Sequence, residues 1–152
     1  MKTLLPFFLS VIINFPVAAA VGPDLSAGTD IQYFTKLRFD TAQSQGDDPI
    51  WKADPERKKI VDAYRAGDVD QVLSLSDLWL KLVPIDAEAH LMVALCYKEK
   101  GDLPEMCKHL NIFYGLLASI TSGGDGLSER TAFKVVSLDE EYSLVHEIGG
   151  KV

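Results

Sequence analysis

Apolar side chains return at three- and four-residue steps through much of this chain, the spacing that lines one face of an α-helix. The first such run opens at Asp54 and Pro55, a capping side chain followed by proline at the first helical position, where a missing N–H costs nothing. Ile60, Val61, Ala63 and Tyr64 form its apolar side, and Gly67 ends it. A second helix is predicted from near Asp68, with Val69, Val72, Leu73, Trp79, Leu80 and Val83 inward, until Pro84 stops it. A third runs from near Asp86 to Glu99. Its centre, residues 91–97, is apolar all round, which marks a helix buried between neighbours. A fourth starts after Asp102 with Pro104 in its first turn, and Leu103, Met106, Cys107, Leu110, Phe113, Leu117 and Ile120 make its stripe.

Both ends of this helical run read differently. Glycines at 123, 124 and 126 break the chain, and Phe133, Val135 and Val136 within residues 131–137 predict a short strand. Ser137 and Glu140 have the spacing of a capping box, so a last helix is predicted over residues 138–148 with Tyr142, Val145 and Ile148 inward. Residues 21–53 mix Gly, Pro, Ser and Gln with isolated apolar side chains. They predict a mobile segment, a short ordered piece over residues 31–39 packed by its aromatics, for which a short helix is one option, and a loop. Residues 1–20 have the three parts of a secretory signal: Lys2, an apolar stretch over residues 4–17, and Ala18, Ala19 and Ala20 at a cleavage site. Pro6, Asn14 and Pro16 interrupt that stretch and argue against a retained membrane anchor. The expected organisation is a signal peptide (1–20), an N-terminal extended segment and loop (21–53), a helical core (54–121) and a strand-helix element (122–152).

The helical core carries a period. Gly67 with Asp68 and Gly101 with Asp102 lie 34 residues apart, the length of a tetratricopeptide repeat. Each pair follows a helix end that holds a tyrosine, Tyr64 or Tyr97. Pro84 closes the first unit, and Ala87 and Ala94 supply the small residues that let paired helices approach. Residues 87–120 resemble that repeat better than residues 54–84; the alternative is a plain helical hairpin array. The fold class expected is mostly α: tetratricopeptide-like hairpins, about two repeats, with a short C-terminal strand and a capping helix.

A second resemblance spans more of the chain. Lys36, Leu37, Arg38 and Phe39 precede the helices. Gly124, Asp125, Gly126, Leu127 and Ser128 follow them, then Thr131, Ala132 and Phe133, and then Glu140, Glu141 and Tyr142. This pattern, a Gly-Asp-Gly turn, a Thr-Ala-Phe strand and a Glu-Glu-Tyr helix, resembles a family of exported bacterial proteins classed only as a domain of unknown function. The resemblance implies a helical repeat core with a small β element, a bacterial origin and no established activity.

Charge narrows the partners. Fifteen basic residues against 22 acidic give a net charge of −7. Such a chain is repelled by nucleic acid and by anionic lipid, so neither is expected to bind it, and no membrane insertion is expected after signal cleavage. The acidic groups are scattered, as on a solvated surface.

Catalytic chemistry is not apparent in the sequence. His90, His109 and His146 fall on three different helices, outside any metalloprotease motif or triad spacing. Cys107 and His109, two apart on a helix, point in different directions and could hardly share a zinc ion with Cys96 and His90. Cys96 and Cys107 flank the turn at Gly101 almost symmetrically. They form a disulfide if their Cα atoms face within about 7 Å, and are buried free thiols otherwise. The glycines at 123–126 lack the lysine of a phosphate loop and the spaced carboxylates of a calcium loop. No catalytic residue, metal or cofactor is therefore expected.

The function expected is an exported (periplasmic or secreted) module that binds a protein or peptide on the grooved face stacked helices create. His90, Tyr97 and Lys98 are its candidate contacts. The alternative is an inhibitor or immunity-type subunit of the cell envelope whose acidity suits a basic partner; a hydrolase is the third reading.

Overall fold

A computed structural model describes residues 30–44 and 55–147. The signal peptide, residues 21–29, the loop at 45–54 with its Asp54 cap, and Ile148 lie outside the described residues. Within them the chain is mostly helical: α1 (Ile31–Ser44), α2 (Pro55–Ala66), α3 (Val69–Leu82), α4 (Ala87–Lys100), α5 (Leu103–Thr121), a 3-10 turn at Glu129–Thr131, and α6 (Leu138–Glu147). No helix among the described residues is long and apolar enough to cross a membrane.

The two glycine-aspartate turns are built alike. Gly67 and Gly101 sit at φ 74° and 77°, a left-handed backbone that costs glycine nothing. Each glycine N–H is bonded to the carbonyl three residues back, Tyr64 O or Lys98 O, both at 3.1 Å. The next residue, Asp68 or Asp102, then caps the following helix by accepting from Gln71 N (3.0 Å) or Glu105 N (3.2 Å). A cap of this kind contributes about 1 kcal/mol. The result is two helical hairpins, α2 with α3 and α4 with α5, joined by contact between α3 and α4. Asp86 caps α4 at that junction through Ala89 N, 3.0 Å.

α4 is the central helix, packed by α3, α5 and α6. Ala87, Ala89, His90, Met92, Val93, Ala94 and Cys96 are all buried, which is why its sequence shows no polar face in the middle. Ile60, Val72, Trp79, Leu116, Ile120 and Leu144 complete the core around it. Full burial of each large apolar side chain contributes about 1.5–3 kcal/mol.

Four expectations change at the edges. The ordered N-terminal piece is a 14-residue helix, α1, that continues past Phe39 to Ser44 and packs on α5. Gly115 makes the close approach possible: a Cβ there would stand 2.2 Å from the Phe34 ring. The expected strand over residues 131–137 is absent, and no strand occurs among the described residues. Side chains bind its backbone groups where a partner strand would. The Lys134 carbonyl accepts from Arg38 Nη2 (2.7 Å), and the Val136 N–H donates to Glu140 Oε2 (2.8 Å). The capping box is accordingly one-sided. Ser137 Oγ accepts from Glu140 N (3.1 Å), but the Glu140 carboxylate turns away to Val136 and Arg38. Tyr142, expected inward, is exposed on α6, and Leu144 and Glu140 are the buried residues of that helix.

Candidate functional site

His90 and Tyr97 are two helical turns apart on α4 and therefore share a face. His109, from the second turn of α5, reaches that face between them. Its Nδ1 lies 2.9 Å from Nδ1 of His90, and its ring stacks on Tyr97 with centroids 5.9 Å apart and planes 26° off parallel. His90 is buried, and its Nε2 lies 3.1 Å from the Pro84 carbonyl at the end of the first hairpin. Burial pushes the His90 pKa down to about 4, an effect the Pro84 carbonyl opposes. His109, half-buried beside Lys108, is also lowered, chiefly by burial.

Of the three residues proposed from sequence, the structure therefore joins His90 and Tyr97 but leaves Lys98 apart, exposed on the next face of α4. His109 was weighed from sequence only as a metal ligand, not as a contact of this face. The matching spacing of His90 and Tyr97 was visible; the rotation of α5 that inserts His109 between them was not. Cys96 is buried beside Tyr64 of α2, where burial raises its thiol pKa, and Cys107 is half-buried on α5; both are free thiols. Among the described residues no group of three or more His, Cys, Asp or Glu converges as a metal site.

A second region lies where the corner at residues 83–87 meets residues 137–140 of the last helix start, leaving a recess between them. Its charged walls are already engaged. Asp86 accepts from Trp79 Nε1 (2.8 Å) and Arg57 Nε (2.7 Å) besides capping α4. Arg57 also reaches Glu88 (2.6 Å) and Asp139 (3.9 Å). Burial opposes the Arg57 charge, yet these carboxylates raise its pKa above the ordinary value. Glu140 is held by Arg38 through two bonds of 2.7 Å, Nε to Oε1 and Nη2 to Oε2.

Two pairs of apolar side chains stand exposed on α3 and α6. Leu78 and Leu82, one turn apart on α3, are 65% and 59% exposed; Leu138 and Tyr142, one turn apart on α6, are 62% and 55% exposed. Leu78 and Leu82 fall outside the apolar stripe read for that helix, and Tyr142 was expected inward, so neither pair was singled out from sequence as a surface.

Residues 43–151 match a protein family described as a domain of unknown function (DUF4919). No curated protein and no solved structure matches the chain. Most of α1, including Arg38, precedes the matched span.

Proposed function

The chain belongs to the DUF4919 family, defined only as a domain of unknown function, and on that premise we propose that it is an exported protein- or peptide-interaction module built on two tetratricopeptide-like hairpins. The observation that carries this reading is two exposed apolar pairs, Leu78 with Leu82 on α3 and Leu138 with Tyr142 on α6, each one helical turn apart. Grouped exposed apolar side chains on a folded surface are a usual mark of a partner site. The repeat reading is supported by the two turns that share glycine conformation, cap and hydrogen bonds at a 34-residue interval. Asp86 and Glu140 are bonded to structural partners, which supports recognition over acid-base chemistry at this recess.

Affinity capture from a cell-envelope extract tests the proposal, using wild type beside Leu78→Lys and Leu138→Glu. Both positions are exposed, so thermal stability should change little. Wild type should retain one stoichiometric partner that both variants lose at least tenfold, since each places a charge in the apolar contact. No partner, or one held equally by all three proteins, would reject this surface. The inhibitor reading rests on net charge alone, and a captured basic enzyme whose association rate falls steeply with salt would favour it.

A further inference from the structure

The hydrogen bonds of the histidine pair can be satisfied in one way only. The Pro84 carbonyl accepts and cannot donate, so the proton on neutral His90 must sit on Nε2, 3.1 Å away. That leaves His90 Nδ1 with its lone pair. His109 Nδ1, 2.9 Å distant, must then be the donor. A neutral His109 that donates from Nδ1 keeps its own lone pair on Nε2. The chain of bonds thus runs from Pro84 through His90 to His109 and fixes both tautomers.

This arrangement treats added protons unequally. A first proton can join His109 at Nε2 without disturbing any bond, because Nδ1 still donates to His90. A second would have to join His90 at Nδ1, and two N–H groups would then face each other at 2.9 Å. We propose that His90 and His109 form a one-proton latch between α4 and α5, which tolerates one added proton and parts with the second.

The groups around the pair bear on where each step falls. Asp86, at the corner before α4, favours charge on His90, whereas Lys108 of α5 opposes it. Glu105 and Lys108, both on α5, act on His109 in opposite senses, and Tyr97 of α4 covers its ring. Among the described residues no α3 or α6 group is bonded to or stacked on either ring. Burial and the cationic neighbour both delay protonation of His90. The latch should therefore hold through the first step and open only in more acid solution. The inference is independent of the partner-binding reading, since it concerns the free protein.

Nitrogen-detected NMR of the two imidazoles in wild-type protein tests the latch. Near pH 8, His90 should carry its proton on Nε2 and His109 on Nδ1, the tautomer that is rarer in free histidine. On acidification His109 should charge first with the Nδ1 proton retained. Charging of His90 should coincide with a rise of roughly tenfold or more in α4 and α5 amide exchange, after correction for intrinsic exchange. His109→Asn, whose amide can still donate but not titrate, should abolish the first step and keep the second. The opposite tautomer on either ring would overturn the latch. So would two cationic rings with α4 and α5 protection unchanged.

Discussion

Two forces act on the imidazole of His90. Its bond to Pro84 favours holding a proton on Nε2, while burial and the facing His109 resist any second proton on the ring. Burial dominates, so the pKa falls from 6.5 to about 4 in the folded protein. In the unfolded chain the ring titrates at its ordinary value. Between these limits the unfolded state binds more protons, and stability rises with pH. His90 thus contributes stability that is complete above pH 6.5 and lost as pH falls towards 4, about 3 kcal/mol in all. Urea unfolding across that interval should show the loss. His90→Gln, which can still donate to Pro84 and accept from His109, should flatten the profile in proportion. An unchanged slope would mean that other groups dominate acid unfolding. Ser76 presents the opposite case. Its hydroxyl is buried on α3 with no hydrogen-bond partner among the described residues, so Ser76→Ala should leave stability unchanged or raise it by up to about 1 kcal/mol, as read by thermal denaturation.

Among the elements, α1 shows most clearly how a helix is kept in place by features elsewhere in the chain. Its own apolar pattern is weak: Ile31, Tyr33 and Phe39 are exposed, while Arg38 and Thr41 are the residues buried. Phe34 docks on α5 only because residue 115 lacks a side chain. Gly115→Ala should therefore cost about 1–3 kcal/mol through overpacking, despite alanine's better helix propensity. In a Phe34→Ala background the ring is gone, and the same change should instead stabilise by up to about 1 kcal/mol. Chemical denaturation of the four proteins would reveal that reversal of sign, and its absence would show that α1 does not depend on this contact.

On the scale of the whole molecule, one buried ion pair connects parts that the chain keeps far apart. Arg38 and Glu140 are 102 residues apart and 1% and 4% exposed, and between them they bind α1, α5, α6 and residues 134–136. Every guanidinium nitrogen of Arg38 has a partner, including Ser119 Oγ at 3.2 Å. Arg38→Met should cost about 3–5 kcal/mol, because it leaves the Glu140 carboxylate buried without its cation. Adding Glu140→Gln removes that bare charge and should restore part of the loss in the same unfolding assay; strictly additive losses would show the pair is not coupled. The starts and stops of α3, α4 and α5 were determined by sequence alone. Asp68, Asp86, Asp102, Gly67 and Gly101 act on backbone groups within a turn of themselves, so no distant segment is needed to read them. Tertiary structure decided the rest: the full length of α1, the outward turn of Tyr142, the missing strand at residues 131–137 and the meeting of His90 with His109. Each of these depends on how a helix is rotated about its axis, or on which distant side chain satisfies a buried polar group. Such choices are made by packing between segments that local spacing does not relate.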